Sequence, residues 1–228
     1  MAEKFVITGA KGLIGSAVSA HLKSRGFEVL ELDLSLGHDL TDEKFVVDWF
    51  KAHPAKYLIN LFALNDHVDA NRKSTSLFDV SLDSIRSYCE INLVALFSVC
   101  RSFAKANEKT GGAIVNFSSV YGLVSPRRDI YDGAEKHIGY SISKAGVPNL
   151  TRHLAVHLAP KFRVNCVVPG GVLNSQPAAF QEKYAKNAPL GRMMEPTEIN
   201  GLVDYLCSDL SSYMTGSVLT VDGGWTAL

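Results

Sequence analysis

Short apolar runs recur along the chain: "KFVITG", "FEVLELD", "KYLINLF", "GAIVNFSS", "FRVNCVVPG" and "SVLTVDGG". Each is rich in β-branched residues and closes on turn-forming ones, the pattern of strands buried on both faces. Between these runs the period of the apolar positions changes. From Ser81 to Ala106, the residues Leu82, Ile85, Cys89, Asn92, Leu96, Val99 and Phe103 fall at steps of three and four, and Tyr140 to Leu158 behaves likewise, which predicts helices. Alternating strand and helix predicts an α/β fold: a doubly wound, Rossmann-type parallel sheet with helices on both faces and its ligand crevice at the strands' carboxyl ends. No repeat, low-complexity tract or linker breaks the pattern, so residues 1–228 are expected to form a single domain.

Composition narrows the partners. With 46% hydrophobic and 20% charged residues the chain can bury a substantial core. Its formal charge of zero and lack of a basic tract argue against nucleic acid or an anionic membrane as the main partner. The opening "MAEKFVITGA" meets an acidic residue at once and reads as neither signal peptide nor spanning helix. Cys89, Cys100, Cys166 and Cys207 are dispersed, with no Cys-x-x-Cys and no histidine cluster, so free thiols in a reducing, cytoplasmic setting and no metal are expected.

The first run leads into "TGAKGLIG", where Gly9, Gly12 and Gly15 stand at a strand-to-helix turn ahead of the amphipathic stretch Leu13 to Ser24. Glycines there permit a tight turn and let a pyrophosphate approach the helix N-terminus, whose free N–H groups and dipole favour an anion. Asp33 closes the second run near the spacing at which a carboxylate takes the ribose hydroxyls of NAD, although a turn role for it stays open. In "YSISK", Tyr140 and Lys144 are four apart, so on a helix they share a face; a cation beside a phenol favours the phenolate.

With the glycine turn, "NFSS", "YSISK", "VVPGG" and "VDGG" in that order, the chain resembles the short-chain dehydrogenase/reductase family over essentially its whole length. The resemblance implies hydride transfer between a nicotinamide and an alcohol or carbonyl, with Asn92, Ser119, Tyr140 and Lys144 as catalytic residues. Ser119 would hold the substrate oxygen, Tyr140 would carry the proton, and Lys144 would stabilise the phenolate. Asn92 would hold a water linking Lys144 to solvent, or else serve only helix packing. It also implies a cofactor site of Gly9, Lys11, Gly12, Leu13, Ile14 and Gly15, then Asp33, Asp39 and Leu40, then Asn60 and Ala63. Tyr140 and Lys144 themselves, with Pro169, Gly170, Val172 and Asn174, would complete it. NAD is expected over NADP because Asp33 would repel a 2′-phosphate, with Lys11 as the counter-indication. A homotetramer or homodimer is expected too, from apolar helix surfaces and the apolar tail "VDGGWTAL".

Four departures from the family stand out. The glycine spacing is that of the longer, nucleotide-sugar-modifying branch. Asp33 is followed closely by "DLTDE", so the connection between the second and third strands is shortened and its usual helix is expected to be missing. The family's "NNAG" reads "NLFA", with Ala63 for the glycine. Ser119 and Tyr140 lie further apart than usual, which implies an insertion in "VYGLVSPRRDIYDGAEKHIG". That insertion offers Tyr131 as a rival, set aside because the intervening Gly133 and the position of Lys136 give it no lysine on a helical face. It also carries Arg127 and Arg128, read either as substrate anchors for anionic oxygens or as solvated partners of Asp129 and Asp132. Ser175 to Arg192 resembles a substrate lid. A narrower similarity to flagellin-glycan-pathway and gluconate or polyol dehydrogenases points to a sugar-like or anionic substrate. The alternatives are a dinucleotide-sensing regulator without turnover and a sugar epimerase or dehydratase holding NAD internally.

Overall fold

The computed structural model describes residues 3–66, 77–131 and 135–228. Six parallel strands, β1 (Lys4–Thr8), β2 (Glu28–Leu32), β3 (Tyr57–Asn60), β4 (Gly112–Phe117), β5 (Phe162–Pro169) and β6 (Val218–Val221), form one sheet in the order β2-β1-β3-β4-β5-β6. Every expected strand is present. The order reverses beside β1, and it is at such a switch point, at the strands' carboxyl ends, that open α/β sheets hold ligands.

Successive side chains on a strand face opposite ways, and the core divides accordingly. Val6, Leu58, Ile114, Val164 and Val168 join one apolar layer, while Phe5, Ile7, Ile59, Val115 and Val167 join the other. The second layer is covered by α1 (Leu13–Ser24), through Val18 and Leu22, and by α7 (Asn200–Leu206). The first is covered by α2 (Glu43–Ala52), α4 (Leu96–Ala106) and α5 (Ile138–Leu158). Helix α3 (Leu82–Cys89) runs into α4 through a π-helical turn, Glu90–Ala95, so the single expected helix is present but underwound at Asn92. α6 (Ala178–Asn187) lies in the expected lid.

Helix α2 corrects the sequence reading, because the shortened β2–β3 connection keeps a helix after all. Asp42 caps it by accepting from Phe45 N–H at 3.1 Å, and it buries Val46 and Phe50, with Phe50 edge-on to Phe103. Cap and apolar face suffice to hold a helix of under three turns in a packed layer.

A polar row crosses the sheet just inside its carboxyl edge. Thr8, Asn60, Asn116 and Cys166 are register partners on β1, β3, β4 and β5. Thr8 Oγ1 donates to Asn60 Oδ1 at 3.0 Å, Asn60 Nδ2 to Asn116 Oδ1 at 2.9 Å, and Asn116 Nδ2 to Thr151 Oγ1 at 3.1 Å. All four of these hydrogen-bonded residues are buried. Partnered in this way, the amides fix register without leaving a polar group orphaned.

Candidate active site

Past the polar row each strand opens into a loop of the site. After β1, Gly9 takes φ +69°, and a Cβ there would lie 2.5 Å from Phe62 N, so the loop after β3 packs directly on it. At Gly15 a Cβ would come within 2.1 Å of the Gly9 carbonyl oxygen. Gly12 is the N-cap of α1 and supplies no side-chain cap, and the first turn carries no acidic residue. The helix thus presents first-turn N–H groups, at Leu13, Ile14 and Gly15, at a glycine turn whose backbone packs closely on itself and on the loop after β3. That turn fits a dinucleotide pyrophosphate.

Asp33, at the end of β2, accepts from Ser35 N–H and Oγ at 2.9 and 2.7 Å and from Lys11 N–H at 2.9 Å. Burial pushes its carboxyl up, but the Ser35 and Lys11 hydrogen bonds outweigh it and the pKa is lowered. An ionised carboxylate has about four lone-pair sites, so one acceptor position stays open for a ribose hydroxyl. The Lys11 ammonium turns to Glu31 at 2.6 Å, and Glu31 is also held by Lys23 and Ser19. Asp39 is exposed and closes an Asx turn on Thr41, while Leu40 is buried in the core. Asn60 is placed by its buried amide in the polar row rather than toward a cofactor, and Ala63 is half-buried on the following loop.

Ser119 Oγ accepts from Tyr121 N–H at 3.2 Å, which turns the chain out of β4. Tyr140 is buried, which raises its pKa, while a hydrogen bond with Ser119 works in the opposite direction. Lys144 Nζ donates to the Phe117 carbonyl at 2.9 Å, and burial lowers its pKa to about 8. In the unliganded chain burial outweighs the Ser119 contribution, and the phenol stays above its ordinary value.

A proline explains how α5 is fastened at this point. Pro148 has no N–H to give the Lys144 carbonyl one turn earlier, and Ser118 Oγ donates to that carbonyl at 2.7 Å instead. Loop and helix are thereby joined at the lysine. Asn92 forms a second fastening. Its Oδ1 accepts from Leu64 N–H at 2.7 Å, and its Nδ2 donates to the Leu64 carbonyl and to Ser143 Oγ at 3.1 and 2.9 Å. Both amide protons are engaged by protein, so the amide N–H groups are not free to hold the expected water.

The insertion and the lid meet over the site. Tyr121 and Tyr131 share a hydroxyl–hydroxyl hydrogen bond of 2.6 Å, and the Tyr131 ring lies 5.5 Å from Phe180 of α6. The Tyr131 phenol is thus committed to Tyr121 and raised by burial to about 12. Tyr184 of α6 stacks on Trp225 and accepts from Gly171 N–H at 2.6 Å, so Trp225 packs within its own chain instead of forming an outer surface. Pro169 and Gly170 end β5, and Gly170 lies against Asp222 and Tyr184. The Val172 carbonyl and the Asn174 N–H are both met by the Gln176 amide, at 2.9 and 2.7 Å. Arg127 and Arg128, the candidate substrate anchors, pair with Asp129 and Glu135, with side chains 49% and 83% exposed. Asp132 and Gly133 lie outside the described residues.

A family model described as enoyl-(acyl carrier protein) reductase matches residues 16–226. Cis-4-hydroxycyclohexanecarboxylate dehydrogenase of Sinomonas cyclohexanicum is 31% identical, over 98% of this chain and 96% of its own length. The chain belongs to the short-chain dehydrogenase/reductase family. It is therefore a nicotinamide-dependent oxidoreductase acting on alcohol or carbonyl groups. Post-translational flagellin modification protein A of Campylobacter coli is 32% identical over 65% of this chain and 59% of that protein. A short-chain dehydrogenase structure from Leptospira borgpetersenii with bound NAD+ superimposes with a TM-score of 0.88 at 28% identity, covering 99% of this chain and 93% of that one.

In this short-chain dehydrogenase/reductase the sequence reading missed Ser118, Gln176 and the Tyr121–Tyr131 pair. It weighed Lys136 only as a partner of Tyr131, whereas the ammonium stands 4.6 Å from the Tyr140 ring centroid. Pro148 was a visible signal for Ser118, since a proline within a helix leaves a carbonyl to be satisfied. No local pattern marks the others, which depend on the insertion folding back.

Proposed function

We propose that this enzyme exchanges a hydride between NAD and a secondary alcohol or its ketone on a polar, sugar-like or anionic substrate, with Tyr140 carrying the proton. The observation that carries the reading is the placement of Tyr140 and Lys144, buried one helical turn apart on α5, with the equally buried Ser119 at the carboxyl end of β4 and the Lys144 ammonium on the Phe117 carbonyl of that strand. When bound, the nicotinamide supplies the hydride acceptor or donor. In the oxidation direction Tyr140 takes the hydroxyl proton of the substrate, and in reduction it returns one to the carbonyl oxygen. Ser119 donates to that oxygen as charge develops on it. Lys144 has one donor on the Phe117 carbonyl; its other donors would hold hydroxyls of the bound cofactor, and its charge would then favour the phenolate. Asn92 positions Tyr140 through Ser143, whose hydroxyl donates to the Tyr140 carbonyl at 3.0 Å.

NAD is favoured over NADP because Asp33 is ionised where the ribose is read, and Glu31 holds the Lys11 ammonium. A homodimer or homotetramer belongs to the same reading, with exposed Val94, Phe97, Ile142 and Val156 as the apolar surface; a monomeric mass by light scattering would remove it. The catalytic assignment is tested with a panel of polyols, sugar acids and hydroxy acids, following reduced nicotinamide. Tyr140→Phe abolishes turnover and leaves NAD affinity within a few fold, whereas Tyr131→Phe still turns over. An exchange of those two outcomes would overturn the assignment.

A further inference from the structure

Lys136 stands just ahead of α5, half-buried, with its ammonium over the Tyr140 ring. Two of its N–H groups donate to neutral acceptors on the loop after β3, the Asn65 side-chain oxygen and the Asp66 carbonyl. An ammonium has three donors, so among the described residues one is left over. The nearby carboxylates are occupied. Asp66 accepts from the Tyr88 hydroxyl at 3.0 Å and attracts Lys136 only through space, and Glu135 is drawn off by Arg128 at 2.9 Å. Among the described residues no carboxylate lies within ion-pair distance of Lys136. By contrast Lys11, Lys23, Lys44, Lys56 and Lys105, all exposed, each touch one. Burial lowers the Lys136 pKa from 10.5 to about 8, so the group stays charged at neutral pH with its field only partly answered.

We propose that Lys136 anchors a substrate carboxylate: its open N–H takes one carboxylate oxygen of a hydroxy acid, or of the keto acid in the reverse direction, while the reacting carbon lies against Tyr140. This deepens the proposed function and rests on Tyr140 being the proton carrier. A single charge with a single open donor matches a monoanion better than a phosphate dianion, and the two arginines that would answer a second charge face solvent. Tyr121, Tyr131 and Phe180 give the body of the substrate an aromatic wall on the insertion and lid side. The preferred substrate is accordingly a hydroxy acid with an apolar body between hydroxyl and carboxylate.

The test uses a panel of cyclic and linear hydroxy acids, each paired with its primary amide and with the matching phosphate monoester, at saturating NAD. Wild type prefers acid to amide by about ten-fold or more in kcat/KM, mainly through KM. In Lys136→Met that ratio falls to near one, and in Lys136→Arg much of it is restored; NAD binding reports that each variant is folded. A brace between loop and helix would change acid and amide turnover alike and leave the ratio intact. Should Lys136→Met fail to fold, Lys136→Gln, which keeps a donor but no charge, is read in the same way. The inference is overturned if wild type prefers amides or neutral alcohols, if the phosphate ester is preferred, or if the acid preference survives loss of the charge. Each of those outcomes leaves Tyr140 as proton carrier untouched, whereas turnover by Tyr140→Phe would remove the underlying reading.

Discussion

Replacing Glu31 by Gln should move the enzyme toward NADP. Glu31 is half-buried on β2 and accepts from Lys11, Lys23 and Ser19, which together hold its carboxyl down from 4.5 to about 2. That drop corresponds to roughly 3 kcal/mol favouring the charged form before screening. The Lys11 and Lys23 side chains are 43% and 49% exposed, so solvent reduces each ion pair to about 1 kcal/mol. Glutamine keeps the shape but cannot hold an ammonium electrostatically. Lys11, which sits in the glycine turn with its backbone N–H on Asp33, is then free to meet a 2′-phosphate. A charged hydrogen bond of about 1.5 kcal/mol at this partly exposed site raises the NADP-to-NAD ratio of kcat/KM roughly ten-fold.

Steady-state kinetics with both cofactors measure the ratio, and Glu31→Gln/Lys11→Met should return it to the wild-type value. A rise below two-fold, or an equal rise in the double variant, would refute the assignment of Lys11 as the held-back cation. The cluster also sets an acid limit. Because the folded pKa is depressed, its stabilisation is present above pH 4.5 and is lost as pH falls from 4.5 toward about 2. Glu31→Gln should unfold with a shallower acid dependence across that window.

Two further outcomes follow from buried hydrogen bonds. Asn116→Leu removes the acceptor of Asn60 Nδ2 and the donor to Thr151, leaving buried polar groups unpartnered. It should cost about 2–5 kcal/mol in urea unfolding, and a loss below about 1 kcal/mol would show that the polar row does not carry the strand ends. Ser119→Ala removes the hydroxyl that opposes the upward push of burial on Tyr140, so the alkaline rise of kcat/KM for alcohol oxidation should shift to higher pH. An unmoved limb would mean that Ser119 does not act on the phenol.

The sheet was legible because strands buried on both faces leave continuous β-branched runs, and α5 because its apolar positions keep one period. The glycine turn was legible for a steric reason: side chains at Gly9 and Gly15 would collide with backbone. Helix α2 was missed when a shortened connection was taken for a lost helix, although Asp42 ahead of Phe45, Val46, Trp49 and Phe50 marks its cap and face. The direction of Lys144 could not be read from its spacing. An i, i+4 pair fixes a shared face, whereas the acceptor that captures the ammonium, the Phe117 carbonyl, belongs to another element. Arg127 and Arg128 turned outward because Asp129 and Glu135 offer exposed pairing with little desolvation. Lys136 was weighed only against Tyr131, because helical spacing does not carry it to Tyr140: it precedes the helix, and His137 caps the turn between them by accepting from Gly139 N–H at 3.0 Å.

The site as a whole holds more positive charge than its own residues answer. Lys136 lies over the ring of Tyr140 and Lys144 one helical turn along from it, and both are held by neutral carbonyl or amide oxygens. Burying a cation on such acceptors costs more than pairing it with a carboxylate, which is why each pKa falls to about 8. A carboxylate supplied by the protein would relieve that cost, but it would also cancel the field acting on a phenolate or on an incoming anion. The polar row and the Ser118 and Asn92 fastenings keep the site rigid enough to carry this imbalance, since an ammonium free to swing outward would find water instead. On this argument the stability lost at the two lysines is regained when ligands bind. Substitution of either lysine by methionine should therefore weaken ligand binding more than it weakens the unliganded fold.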